Sequence, residues 1–410
     1  MQATSVREYI ARQRPGWSLE QAFYTSAEIY QFERSNFLAN KWYLLGHCSE
    51  IPEPGAYMVR MLLGESVIIV RDLEGTVRGF YNVCRHRGSR ICEQDGKAKS
   101  LVCPYHAWSY RLDGSVRIAP AMPEEVDLGK LGLRSLPVAE IGGLILASMK
   151  ADPSSLDGIR AEAEPVLSYH GIPHARIAAR RNYLTRANWK LVMENFAECY
   201  HCFPCHPEYC SVMQHVNVLA RQAAPDAMAA WETKVDGWFR DQADEKSPAG
   251  QNRWWPGYSG SSTIFRAPIG SNRKTVSADG EPVAPLMGKA SRFDGGVTDF
   301  GLRPFTFLSM PNDHAVMFQF LPTGPEQTDV TISWLVNSSA SDSDVDTERM
   351  VWMWDVTTVQ DKGIVERNAE GVRSAAYAPG PYSKLEFGTA SLISEYLSEL
   401  EPSTETIGDE

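Results

Sequence analysis

Two stretches of this chain gather side chains that bind metals. The first reads Cys84-Arg85-His86-Arg87-Gly88 and then, after 16 intervening residues from His86, Cys103-Pro104-Tyr105-His106-Ala107-Trp108. Two thiolates and two imidazoles are enough for one tetrahedral zinc. They are also enough for a [2Fe–2S] cluster with both thiolates on one iron and both imidazoles on the other. The spacing fits the cluster better. Zinc loops usually pair like with like, C-x2-C or H-x3-5-H. Here each loop carries one Cys and one His, so each can touch both irons. Neutral imidazoles raise the reduction potential above that of an all-thiolate cluster.

The second stretch reads Glu198-x-x-His201-x4-His206. Asn188 is placed to cap a helix running through Trp189–Cys202, with apolar positions 189, 192, 193 and 196 on one side. On that helix Glu198 and His201, three apart, share a face. His206 would lie about 140° round from His201, too far for one ion, unless Pro204 breaks the helix between them. Two His and a distant carboxylate make a facial triad with positions open to O2. Asp361 and Glu366, on one predicted helix, are both candidates, and spacing alone does not choose.

Rival readings exist for the same stretch. Cys202-Phe203-Pro204-Cys205-His206 matches a haem-attachment pattern, which normally requires export. Cys199, Cys202, Cys205 and Cys210 run C-x2-C-x2-C-x4-C, near the ferredoxin spacing but without its last interval and proline. The chain has no second Glu-x-x-His for a di-iron site and no H-E-x-x-H. The plainest reading packs the four cysteines as small hydrophobes.

Elements must hold these residues. The chain's 410 residues exceed one ordinary core, so two domains are expected. Apolar residues at 43% and charged residues at 22% exclude a disordered chain. A net charge of −11 disfavours nucleic acid as a partner. No apolar run approaches the roughly 20 residues of a membrane span. The N-terminus lacks the apolar core of a signal peptide, which predicts a cytoplasmic protein with reduced thiols. Residues 1–40 look helical with a break at Pro15-Gly16, and are expected to pack on the catalytic domain. Residues 41–150 read as short strands with a hairpin turn at Leu112-Asp113-Gly114. Residues 151–400 mix helices with antiparallel strands: a loop-heavy stretch at 235–300, strands within 304–336 and a long helix over 344–375. Residues 401–410 form an acidic tail. The fold class is α+β.

The motifs themselves resemble a family. Cys84-Arg-His86-Arg-Gly with Cys103-Pro-Tyr-His106-x-Trp108 is similar to the Rieske motif of ring-hydroxylating and related non-haem iron oxygenases. Asn-Trp-Lys-Leu-x-x-Glu-Asn-x-x-Glu-Cys-Tyr-His from Asn188 resembles the catalytic iron segment of the same family, and the likeness runs from about Phe23 to Tyr396. It implies a Rieske [2Fe–2S] domain followed by a helix-grip catalytic domain. It implies that Cys84 and Cys103 bind one cluster iron, His86 and His106 the other. It makes His201, His206 and Asp361 ligands of a mononuclear Fe(II), with Asn195 close by. Glu198 takes the place of the acid that links cluster and iron across neighbouring subunits. That in turn implies a head-to-tail homotrimer or a multiple of it. The chain has no G-x-G-x-x-G fingerprint, so electrons from NAD(P)H are expected through a separate flavin and iron–sulfur reductase.

Glu at 198, and Tyr377-Ala-Pro-Gly-Pro-Tyr-Ser383, resemble the branch acting on quaternary ammonium compounds such as betaines and carnitine. The reaction implied is hydroxylation of an N-methyl group with loss of formaldehyde. Aromatic faces recognise such cations, and Trp254, Trp255, Tyr258, Phe265, Phe305 and Phe307 are candidates. Arg266 or Arg303 is a candidate partner for a substrate carboxylate. The alternatives are oxidation of an aromatic acid or ring, and, from another class, a Rieske-type electron carrier. A carrier needs only the first motif and about 100 residues.

Overall fold

The computed structural model describes residues 3–214, 225–242, 247, 262–270 and 272–400. Trp254, Trp255, Tyr258 and the acidic tail lie outside the described residues. Among those described, the named strands form four antiparallel sheets.

Two of these sheets build the cluster-binding half. Strands Ala56–Leu62, Glu65–Arg71 and Val77–Tyr81 form the centre of a five-stranded sheet, with short strands at 96–97 and 135–136 on its edges. Strands Leu101–Val102, Ser109–Tyr110 and Val116–Ile118 form a second. Their shared core joins Ile68, Val70 and Phe80 to Leu101, Trp108 and Tyr110, and includes Cys84 and Cys103. The cysteines therefore belong to the core, and their loops hang from it. The expected hairpin turn is present: Gly114 has φ +88°, and Asp113 Oδ1 accepts from Ser115 N–H at 2.8 Å.

The largest sheet has the strand order Ala175–Thr185, Gln327–Asn337, Ala315–Gly324, Thr306–Met310, Gly296–Leu302, Ser262–Pro268. Both of its faces are covered, which is why its inner strands read as near-continuous apolar runs. Val316, Phe318 and Phe320 pack with Met350, Met353 and Trp354 of the long helix Thr347–Val372. Ala315, Met317 and Leu335 pack on the other side with Leu44, Leu146 and Leu167. A three-stranded sheet containing Tyr43–His47 joins the halves: Gln319 Nε2 donates to Leu44 O at 3.0 Å.

The stretch 235–300 departs from the loop-heavy expectation. Helix Pro225–Asp241 enters it, and strands Ser262–Pro268 and Gly296–Leu302 lie inside it. Gly296–Leu302 is buried throughout, but its glycines, Thr298 and Asp299 mask any apolar pattern. Strand Ala175–Thr185 was also hidden, because it is an edge strand rich in arginine.

Three N-terminal helices, Ala3–Arg12, Gln21–Thr25 and Ala27–Asn36, lean on the catalytic half. Glu33 pairs with Lys190 Nζ at 2.7 Å, both fully buried, and accepts from Trp189 Nε1 at 3.1 Å. Such a pair adds little net stability, but losing one partner would strand a buried charge. It fixes the start of the segment that carries His201 and His206. Among the described residues no helix is long and apolar enough to cross a membrane.

Candidate active site

The two Cys/His loops are built alike despite their different spacing. Cys84 N–H donates to Ser89 O at 2.8 Å, and Gly88 N–H donates to Cys84 O at 3.0 Å. In the second loop Cys103 N–H donates to Trp108 O at 2.8 Å, and Ala107 N–H to Cys103 O at 3.1 Å. The residue four past each cysteine turns left-handed: Gly88 at φ +77° and Ala107 at φ +55°. That conformation costs nothing for glycine and is uncommon for alanine. Cys84 and Cys103 are buried, while His86 and His106 are exposed with ring centroids 4.7 Å apart. Trp108 lies parallel to His86 at 5.0 Å. The Tyr110 hydroxyl accepts from Arg85 N–H at 3.0 Å and lies 3.2 Å from Cys84 Sγ.

The expected iron ligands come from two distant segments. The Asn188 side chain caps as expected, accepting from Lys190 N–H at 3.0 Å. The helix, however, spans only Trp189–Phe196, so Glu198 and His201 do not share a continuous helix. They meet through a turn: the Glu198 carboxylate accepts from Tyr200 N–H and from His201 Nδ1. Pro204 does not make the break either. It sits inside the one-turn helix Cys202–Cys205, and the chain turns at His206, φ −128° and ψ 69°, because Pro207 follows.

From the long helix, Asp361 Oδ1 lies 3.2 Å from His201 Nε2 and 2.9 Å from His206 Nε2. The donor atoms of these three residues lie within 4.8 Å of one another. Asn195 Nδ2 stands 3.2 Å from His201 Nε2. Glu366 points elsewhere, to Arg186 N–H at 3.0 Å and Lys362 Nζ at 2.9 Å. Burial opposes a charge on His201, yet Asp361 and Glu198 override it and lift its pKa to about 10. Asp361 is held below the usual carboxylate range by the two histidines, against its own burial. The site thus stabilises positive charge where the two Nε2 atoms and Oδ1 converge, which suits a divalent cation.

The donors also sort the metals. The Cys/His loops set two buried thiols apart from two exposed imidazoles whose ring centroids are 4.7 Å apart. Thiols on one side and imidazoles on the other suit a binuclear cluster. Of the four clustered cysteines, Cys202 and Cys210 are buried, with Cys210 Sγ 3.4 Å from Cys202 O.

A cavity opens before Asp361. Phe196, Phe318, Phe320 and Trp354 wall it, with Asn195, Thr358 and Lys362 among the polar groups. Phe307 belongs to this aromatic group, 5.2 Å from Phe196 and 6.3 Å from Trp354. Phe265 sits on the edge strand opposite Asp299. Phe305 is core, stacked on Tyr43 at 4.8 Å. Arg266 pairs with Asp294 at 2.5 Å, and Arg303 with Glu395 at 3.3 Å.

Residues 41–139 match the family described as Rieske [2Fe-2S] domain, and residues 173–399 the family described as Ring hydroxylating alpha subunit (catalytic domain). The chain belongs to the Rieske non-haem iron oxygenases. Its sequence is 36% identical over 399 residues to the glycine betaine monooxygenase oxygenase subunit of Chromohalobacter salexigens, covering 94% of this chain and 86% of that one. It is 32% identical over 288 residues to the carnitine monooxygenase oxygenase subunit of Acinetobacter baumannii, covering 66% and 73%. In fold it resembles the quaternary ammonium Rieske monooxygenase CntA, with a TM-score of 0.72, 23% identity and coverage of 96% and 98%. Membership of this oxygenase family implies a Rieske cluster and a mononuclear iron, and the donor sets above fit both.

Sequence reasoning missed two parts of this oxygenase site. Gln360 Oε1 accepts from His206 Nδ1 at 2.8 Å, and Gln360 Nε2 donates to Glu208 at 3.0 Å. The signal was available: a metal-bound histidine needs an acceptor for its other N–H, and a polar residue adjoins Asp361. It also missed Trp354, which stands two helical turns before Asp361 and so shares its face.

Proposed function

We propose that this chain is the terminal oxygenase component that hydroxylates an N-methyl group of a quaternary ammonium compound. The step consumes O2, two electrons and two protons. It converts the N–CH3 group to N–CH2OH and releases water. The carbinol then loses formaldehyde and a proton, leaving the demethylated amine. The observation that carries this reading is the aromatic wall before His201, His206 and Asp361. It supplies π faces to a cation that has no N–H to donate, each worth about 0.5–2 kcal/mol. The names of the glycine betaine and carnitine relatives point the same way.

In this reading residues 41–150 receive electrons from a separate reductase, and residues 151–400 use them. When bound, the cluster passes single electrons and the iron activates O2. Cys84, His86, Cys103 and His106 would hold the cluster; His201 Nε2, His206 Nε2 and Asp361 Oδ1 would hold the iron. Glu198 and Gln360 keep the Nδ1 protons of the two histidines in place, which fixes their tautomers and aims each Nε2 inward. Phe196, Phe318 and Phe320 would exclude water from that side of the cavity.

The subunits would associate head to tail, as a trimer or a multiple of it, with His106 of one chain meeting Glu198 of the next. Exposed apolar residues surround both ends of that contact: Tyr105, Val102 and Ile118 beside the cluster loops, Tyr200 and Phe203 beside Glu198. Inter-subunit electron transfer is named for the CntA structure.

The test is substrate-dependent O2 uptake with a generic reductase, screening betaines against aromatic acids and assaying formaldehyde. Formaldehyde with methylammonium compounds alone is the expected result. Ring-hydroxylated or cis-diol products would overturn the reading.

A further inference from the structure

Strand Gly296–Leu302 divides its side chains between the two faces of the large sheet. Phe300 and Leu302 pack in the cluster away from the iron. Thr298 shares that side and accepts from Arg266 Nε at 2.8 Å. Val297 faces the helical layer, in the cluster of Phe318 and Trp354. Asp299 alternates with Thr298 and so faces the same way as Val297, opposite Phe265 on one side and Ser309 on the other.

Asp299 is only 6% exposed, and its Oδ1 has no hydrogen-bond partner. Trp354 Nε1, buried on the same side, has none either. Each unsatisfied buried polar atom costs about 1–3 kcal/mol, so two in one region need an explanation. Among the described residues no cation pairs with Asp299; Arg266, on the neighbouring strand, faces the other way and is held by Asp294. Burial pushes the Asp299 carboxyl up to about 7, although the Ser309 hydroxyl opposite favours its charge. Aromatic contacts tie this wall to the iron ligands. Tyr209 lies 6.5 Å from His206 and 5.4 Å from Trp354, ring to ring.

We propose that Asp299 is the counter-charge for the substrate's quaternary ammonium, with Tyr209, Trp354 and Phe307 supplying the faces around it. A fully methylated nitrogen cannot be recognised by donated hydrogen bonds. A lone carboxylate among aromatic rings selects its charge without demanding a donor. This inference rests on the quaternary ammonium reading and adds the residue that enforces it.

The test is calorimetric binding to the cluster- and iron-loaded protein without O2. The probes are glycine betaine and its carbon isostere 3,3-dimethylbutyrate, which differ only in the charged nitrogen. Wild type should prefer the betaine by at least about tenfold. Asp299→Asn should abolish that preference while leaving iron content, cluster spectrum and isostere affinity unchanged, and Asp299→Glu should restore part of it. The Asn variant removes a buried unpaired charge, so its Tm should not fall. A preference that survives in a folded Asp299→Asn overturns this inference alone. Should Asp299→Asn fail to fold, loss of the preference in Asp299→Glu overturns it. No preference in wild type, together with no formaldehyde, overturns the quaternary ammonium reading and this inference with it.

Discussion

The cluster loops bury their cysteines and expose His86 and His106, whereas the iron site buries His206 and leaves only 17% of the His201 side chain exposed. In the proposed reading one region is an electrical contact, which must present its imidazoles to another surface. The other is a reaction chamber, and must keep water from the reactive centre. Their construction differs accordingly. The loops are held by their own backbone bonds within 25 residues, from Cys84 to Trp108. The iron site depends on a helix that begins more than 140 residues after His206 and on a carboxylate 155 residues beyond it.

The sharpest way to break this contrast is to disable each region separately. Asp361→Ala should lose the iron but keep the cluster's visible spectrum, with product formation down by at least about a thousandfold. Cys103→Ser should do the reverse. Each protein alone should be inactive. Unfolding both and refolding them together should restore part of the activity, since a chain with only a cluster can then serve a neighbour with only an iron. No recovery in verified mixed oligomers would mean that electrons stay within one subunit.

Glu198→Gln tests the link between the two regions. Iron and sulfide contents should stay at wild-type values while coupled turnover falls by about a hundredfold or more, because the bridge loses its charge and its grip on His201. Normal turnover driven by NADH would refute the bridging role. Gln360→Leu probes the iron site from inside its own domain. It removes the acceptor for His206 Nδ1 but no ligand, so the expected loss is smaller, about 10–100-fold in iron affinity or activity. Iron titration separates that outcome from a loss of substrate binding.

The same contrast explains what could be read from the chain. The Cys84 and Cys103 loops were legible because their geometry is local: spacing alone suggested a binuclear cluster over zinc. His201 and His206 were legible as a pair, but the third ligand was not. Asp361 and Glu366 look alike as helix acids, and only packing of the long helix on the iron segment turns one inward and the other toward Arg186. Resemblance to the family supplied that choice. The strands at 175–185, 262–268 and 296–302 escaped because tertiary burial, not local pattern, makes them strands. Asp299 lies in one of these, where a buried carboxylate reads in sequence as a turn residue.

The smallest expected effect lies in the exposed region and reaches the cluster through one hydrogen bond. Tyr110 is buried, with its hydroxyl 3.2 Å from Cys84 Sγ; a thiolate bound to a cluster has no proton to give, so in the loaded protein the hydroxyl would be the donor. A hydrogen bond to a cluster sulfur stabilises the reduced state, in which the sulfur carries more negative charge. Tyr110→Phe keeps the ring in the core between the two sheets and removes only that bond. A net hydrogen bond of about 0.5–1.5 kcal/mol corresponds to roughly 20–60 mV for a one-electron couple. The cluster's midpoint potential should therefore fall by about that amount in a redox titration, with its spectrum and the iron content unchanged. Electron transfer from the cluster should become more favourable and reduction by the reductase less so. An unchanged potential would mean that the Tyr110 proton points away from Cys84, and that the backbone bonds of the loops, rather than this side chain, set the poise of the exposed site.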